Sequence, residues 1–117
     1  MNLVIQLPHA PEDAALHEHA ERSLRFALTR FSSAVADIRL RLVDENGPRG
    51  GADQRCRVQI VLRQGGGLSV EGVDADPRVA IDQVAARAAR TVARRLSRAR
   101  AASPRAKRES PMTPLTR

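Results

Sequence analysis

The chain has 117 residues, enough for one domain with a single hydrophobic core and too few for two. Its net charge of +7 favours a nucleic-acid or anionic-surface partner over a basic substrate. A single cysteine, Cys56, excludes an internal disulfide and fits a reducing compartment. No stretch approaches the roughly 20 apolar residues of a membrane helix, and the N-terminus lacks the basic start of a signal peptide. We therefore expect a soluble, cytoplasmic protein.

The positive charge is concentrated after Pro77. Residues 1–76 hold 9 arginines and 11 acidic residues, whereas residues 77–117 hold 11 basic residues and only 2 acidic ones. Concentrated charge of this kind attracts polyanions and speeds encounter with them. Of the 20 basic residues 19 are arginine, a bias that a GC-rich genome also produces. The position of the arginines on the folded surface must therefore carry the functional argument.

The first part of the chain predicts a strand and a helix. Leu3, Ile5 and Leu7 occupy alternate positions before Pro8, which is the period of a strand. Pro11 then suits the first turn of a helix, with acidic residues at its positive end. The apolar residues of this helix recur at helical spacing and form one stripe: Leu16, Ala20, Leu24, Ala27 and Phe31.

Three further strands are predicted by alternation at residues 37–42, 55–62 and, more briefly, 68–72. A Gly-, Asp- and Pro-rich connection is expected over residues 44–54, and the glycines of residues 64–67 predict a hairpin turn. Cys56 alternates with arginines, which indicates a core position.

Asp76 and Pro77 predict the start of the last helix, as N-cap and first helical residue. The helix should run to about Ala101, because Ser103 and Pro104 interrupt it. We thus expect a domain over residues 1–101 and a basic, disordered tail over residues 102–117. The order β-α-β-β-β-α predicts an α+β fold: a two-layer sandwich of a four-stranded, mainly antiparallel sheet with both helices on one face.

The last helix carries the main candidate site. On a helical wheel four of its arginines fall within roughly 80° of one another on the side opposite the apolar stripe. No acidic residue relieves their mutual repulsion of a few tenths of a kcal/mol per pair, which suggests that they meet phosphate. The candidate RNA-binding residues on this helix are Arg87, Arg90, Arg94 and Arg98.

The first helix adds Arg22 and Arg25 to the candidates, although Glu18 and Glu21 on the same face should weaken its contribution. For the arginines of the last helix, a plain solvated helix face is the alternative. The outer sheet face offers either a second basic patch or ordinary cross-strand charge.

Phe26 lies off the apolar stripe and should be partly exposed, but no aromatic residue lies on the strands. We therefore expect contacts to phosphate and shape, not to base sequence.

Other chemistry is poorly supported. His17 and His19 are two residues apart on a helix and point in different directions, so they make a weak metal pair. Asp82 is interpreted as a first-turn acid that the helix dipole favours. No nucleophile with a neighbouring base can be assembled, and we expect no enzyme activity, cofactor or metal.

The opening of the last helix resembles that of the ribosome hibernation-promoting factor and ribosome-associated inhibitor family. Asp76, Ala80, Ile81 and Asp82 match the family's Asp-x-x-x-Ala-Ile-Asp pattern. Three basic positions of the family are matched by Arg87, Arg90 and Arg94. The resemblance spans roughly residues 2–100 and includes the order of the strands and helices.

This resemblance implies a protein that occupies the decoding region of the small ribosomal subunit and its rRNA, and so inhibits translation without catalysis. It also implies a short form that is monomeric off the ribosome, without a membrane or small-molecule partner. Pro77 and Arg78 depart from the family's usual Met and Tyr, and Ser23 replaces an often basic residue. Two alternatives remain open: a general double-stranded nucleic-acid-binding module, and a small regulatory domain that binds an anionic metabolite.

Overall fold

The computed structural model describes residues 1–8, 12–46 and 52–102. Within these ranges the chain has the order β-α-β-β-β-α, and a single 3-10 turn, Thr29–Phe31, follows the first helix. The elements are β1 (Asn2–Gln6), α1 (Ala14–Leu28), β2 (Val35–Asn46), β3 (Ala52–Leu62), β4 (Gly67–Asp74) and α2 (Pro77–Ala102). The predicted α+β class is confirmed.

The four strands form one sheet in the order β1-β2-β3-β4. β1 pairs in parallel with β2, whereas the β2–β3 and β3–β4 pairs are antiparallel, so the sheet is mixed but mainly antiparallel. The register places apolar residues in rows across the sheet, for example Leu3, Ile38, Ile60 and Leu68. Because all such rows lie on one face, that face must be covered by the helices.

Both helices cover this face and close a single core. α1 contributes Leu24 and Leu28, and α2 contributes Ile81, Val84 and Val92, all of them essentially inaccessible to solvent. They pack with the inward-facing residues of the strands in one cluster. Burial of a side chain of this size contributes about 1.5–3 kcal/mol, so the core fixes how both helices lie on the sheet.

The first helix begins later than the sequence suggested. Pro11, the predicted first-turn residue, lies outside the described residues, and α1 starts at Ala14 with Asp13 as its N-cap. Oδ1 of Asp13 accepts a hydrogen bond of 2.9 Å from the backbone N–H of Leu16. A carboxylate there satisfies one of the free N–H groups at the helix start, which explains the position of the boundary.

The connection predicted over residues 44–54 is wrong in extent, because both strands continue into it. Asp44 pairs with Gln54 and Asn46 with Ala52 in the antiparallel register. Nε2 of Gln54 also donates to Oδ1 of Asp44 at 3.0 Å, so polar side chains support strands here that apolar alternation does not reveal. The predicted glycine turn is confirmed, since Gly65 and Gly66 adopt φ angles of 95° and 82°.

α2 ends at Ala102, one residue beyond the predicted domain boundary. The rest of the predicted tail, residues 103–117, lies outside the described residues. In the part of the chain that is described, no helix is long and apolar enough to cross a membrane.

Candidate nucleic-acid interface

The start of α2 is fixed by two aspartates. Oδ1 of Asp76 accepts a hydrogen bond of 2.9 Å from the backbone N–H of Arg78, and the Asp76 carbonyl accepts one of 3.1 Å from the N–H of Ala80. Asp74 in turn accepts from the N–H of Asp76 at 2.9 Å. The predicted N-cap at Asp76 is therefore confirmed.

The capped start and the buried stripe together decide which residues of α2 face outward. The stripe runs along the sheet side of the helix and consists of Ala80, Ile81, Val84, Ala85, Ala88 and Val92. We call the four exposed arginines on the opposite side the arginine ladder: Arg87, Arg90, Arg94 and Arg98. At 1.5 Å per residue, the ladder extends about 16 Å along the helix axis.

Arg87 differs from the rest of the ladder, because its Nη1 donates to the main-chain carbonyl oxygen of Glu71 in β4. Arg95, which the sequence analysis did not identify, makes a similar contact: its Nη2 donates to the carbonyl oxygen of Gly67 at 3.2 Å. On the helical wheel Arg95 lies on the sheet side of α2, and this position could have indicated its contact with the sheet from the sequence alone. Both side chains tie the helix to the edge of the sheet.

Arg90, Arg94 and Arg98 make no hydrogen bond or ion pair with any residue that the structure describes. They are exposed on a helix face without an acidic neighbour. Three guanidinium groups of this kind offer five N–H donors each to an external acceptor. Planar donor forks fit phosphate and carboxylate oxygens bidentately.

The two candidate arginines of α1 are engaged by glutamates, as their spacing suggested. Arg22 lies 3.5 Å from Glu18, and Nε of Arg25 lies 3.2 Å from Oε2 of Glu21. Both are exposed pairs one helical turn apart, and such pairs are weak. An incoming phosphate would compete with the glutamates, so these arginines are poorer ligands for it than Arg90 and Arg94.

Asp82 joins the two helices instead of serving as a first-turn acid, so that interpretation is wrong. Asp82 is the sixth residue of α2, and its Oδ1 lies 2.9 Å from Nε2 of His19. The hydroxyl of Ser23 donates to the same oxygen at 3.2 Å. His19 thus has a partner on α2, and no group of three or more potential metal ligands occurs in the described ranges.

The outer face of the sheet carries arginines whose charge is partly neutralised. Glu71 accepts from Nη1 of Arg55 at 3.1 Å and from Nε of Arg57 at 2.9 Å. Arg41 lies directly opposite Arg57 in the β2–β3 register, a like-charge pair that costs a little stability. One carboxylate shared by two arginines makes this face less cationic than its arginine content suggests.

Two further predictions concern side chains outside the ladder. Cys56 is buried as expected, and the loss of hydration raises the pKa of its thiol to about 12. Phe26 is far more exposed than expected, with 87% of its surface accessible. Phe31 is half-buried, with the guanidinium of Arg30 4.8 Å from its ring centroid.

Several solved structures share this fold, among them two with TM-scores above 0.6. The ribosomal subunit interface protein of Coxiella burnetii superposes with a TM-score of 0.68 over 83% of this chain and 99% of its own, at 11% sequence identity. The N-terminal domain of Thermus thermophilus Protein Y gives a TM-score of 0.62 over 80% of this chain and 98% of its own, at 23% identity. At these identities the similarity concerns the fold. A search among curated protein sequences found no match.

The family assignment comes from the sequence as a whole. The model of the family described as sigma 54 modulation protein / S30EA ribosomal protein matches residues 3–100. This range includes the four strands and two helices except for the first residue of β1 and the last two residues of α2, and it contains the whole arginine ladder. The chain therefore belongs to this family, in agreement with its resemblance to the ribosome hibernation-promoting factors.

Proposed function

We propose that this protein is a translation inhibitor that binds the small ribosomal subunit at the decoding region through the arginine ladder of α2. Family membership supports a ribosomal partner, and one of the similar folds is named as a ribosomal subunit interface protein. The observation that carries the proposal is the state of Arg90, Arg94 and Arg98. They are exposed and have no partner among the described residues.

An RNA surface meets the requirement that the ladder sets. Three like charges along one helix face repel each other, and phosphates that bind between them relieve this repulsion. Ribosomal RNA offers a dense array of phosphates, and the bidentate geometry of arginine suits them. The protein acts by occupation: while the domain is bound in the decoding region, tRNA and mRNA cannot enter.

Co-sedimentation with purified ribosomal subunits tests the proposal. Wild-type protein should move with the small subunit in a sucrose gradient, and a variant combining Arg90→Glu with Arg94→Glu should stay at the top. Arg87 is left unchanged because its contact with the Glu71 carbonyl gives it a structural role. Circular dichroism should confirm that the double variant is folded, since both side chains are exposed.

The matched control combines Arg39→Glu with Arg41→Glu, which makes the same charge change on the outer sheet face. This control should still sediment with the small subunit. Loss of binding in both variants would mean that net charge alone matters, and retention in both would refute the ladder as the interface. Competition with naked duplex RNA tests the alternative of a general double-stranded nucleic-acid-binding module. Such a module would bind the free duplex and would be displaced from the ribosome.

A further inference from the structure

Phe26 has the most exposed large hydrophobic side chain in the described ranges, at 87%. It lies about 140° around the helix from the centre of the buried stripe of α1, so its ring takes no part in the core. Phe31, the other aromatic residue of the chain, is half-buried and lies beside Arg30. Covering an exposed phenylalanine ring with another apolar surface is favourable, so this ring is available to a binding partner.

The position of Phe26 follows from the row of α1 residues to which it belongs. His19, Ser23 and Phe26 follow each other at four- and three-residue spacing, so they lie along one side of the helix, and Arg30 follows in the 3-10 turn after it. At one end of the row His19 contacts Asp82 of α2. At the other end Arg30 lines a depression together with Ala93 and Leu96 of α2. The helices therefore run in the same direction, and along the chain Phe26 lies between these two contacts.

The facing row of α2 explains why the ring remains uncovered. It has the same spacing and consists of Asp82, Ala86, Ala89 and Ala93, and three of these four residues are alanines. Alanine side chains are too short to cover a neighbouring phenylalanine ring. Further round the exposed side of α2 lie Arg90 and then Arg94, two of the unpaired members of the ladder. The Phe26 ring and these two guanidinium groups are thus all on the solvent-exposed side of the pair of helices.

We propose that Phe26 is a stacking platform for an unpaired base of RNA, whose neighbouring phosphates are held by Arg90 and Arg94. The proposal rests on the proposed function and specifies the RNA that the site takes: a single-stranded or flipped-out nucleotide beside the bound backbone. Every base has a π-face, so a phenylalanine ring binds it without sequence preference. A standard protein interface buries about 800 Å² per partner, and a single ring among alanines provides only a small part of that area. The surrounding charge favours RNA as well.

The absence of tryptophan and tyrosine from the chain gives a direct test. In Phe26→Trp the new indole is the only strong fluorophore of the protein, and a base stacked on it should quench its emission. We expect quenching by a single-stranded oligoribonucleotide, and much less by an abasic strand of the same length. The control is Val4→Trp, at a residue that is 43% exposed on the outer sheet face, whose emission should change little.

Affinity measurements with two conservative variants complete the test. Phe26→Leu keeps an apolar side chain but removes the aromatic face, so binding to the base-containing strand should weaken by about 5- to 150-fold. Phe26→Tyr keeps the ring and should bind like the wild-type protein, and neither variant should alter binding to the abasic strand.

Wild-type affinity in Phe26→Leu, or unchanged emission from Phe26→Trp on a saturating oligonucleotide, would overturn the stacking proposal. So would an emission change that depends on protein concentration without RNA, since Phe26 would then contact a second copy of the chain. A different result would refute the proposed function. If the Arg90→Glu and Arg94→Glu variant keeps its ribosome binding, the ladder is wrong, whereas loss of binding there with normal binding by Phe26→Leu refutes stacking alone.

Discussion

The arginine ladder makes a quantitative prediction about salt. Replacing Arg90 and Arg94 by glutamine removes two of the three charges that have no described partner, without adding repulsion. Each phosphate contact contributes about 0.7–0.9 to the slope of log affinity against log salt. The double variant should therefore have a slope shallower than that of the wild-type protein by about 1.4–1.8. Between 50 and 200 mM salt, three contacts cost roughly 20- to 40-fold in affinity, and one contact costs only about 3-fold.

The assay is fluorescence anisotropy of protein labelled at its N-terminus, titrated with purified small subunits at constant Mg²⁺ and increasing KCl. A thiol label is unsuitable because Cys56 is buried and the pKa of its thiol is about 12. The matched control replaces Arg39 and Arg41 by glutamine, which removes the same charge from the opposite layer of the fold. Its slope should equal that of the wild-type protein.

Two results would refute this reasoning. An unchanged slope in the ladder variant would show that Arg90 and Arg94 release no counterions on binding, so they do not contact phosphate. An equal reduction in the sheet variant would show that the outer sheet face is a second phosphate-binding surface, the alternative that the sequence left open.

Three further predictions concern stability, each measured by urea unfolding. Gly72→Ala should lower the free energy of unfolding by about 1–3 kcal/mol, because the new Cβ would lie 3.0 Å from Cγ2 of buried Val84. The control Ser69→Ala, at an exposed residue of the same strand, should leave the free energy of unfolding nearly unchanged. Asp76→Ala should cost about 0.5–2 kcal/mol by removing the cap of α2. Between pH 9.0 and about 12 the unfolded Cys56 thiol ionises while the folded one stays protonated, so stability should fall as the pH rises, by up to about 1.4 kcal/mol per pH unit. In Cys56→Ala this added pH dependence should vanish, and an identical slope in both proteins would contradict the assignment.

Much of the fold was predictable because its strands and helices have clean periods. Alternation located all four strands, and Asp76 followed by Pro77 located the start of α2 to the residue. The ends of β2 and β3 were missed because Asp44 and Gln54 are polar and stabilise the hairpin through their own hydrogen bond. Apolar alternation carries no information about such a pair.

The candidate site was predictable only as a helix face. The wheel gives the direction of each ladder residue, and the structure agrees that all four are exposed. The wheel gives no information on which other residues a long side chain can reach in the folded protein. The contacts of Arg87 and Arg95 with β4, and that of His19 with Asp82, join residues far apart in the sequence, and they follow from how the elements pack.

The hydrogen bonds of Arg87 and Arg95 with β4 also affect how readily the protein associates with other copies of itself at high concentration. β4 is the last strand of the sheet, and the free edge of such a strand is a template on which the strand of another molecule can add. The two guanidinium groups occupy the carbonyls of Glu71 and Gly67 on this strand. Two main-chain acceptors of β4 are therefore already occupied within the molecule, which makes this edge a poorer template for a strand of another copy.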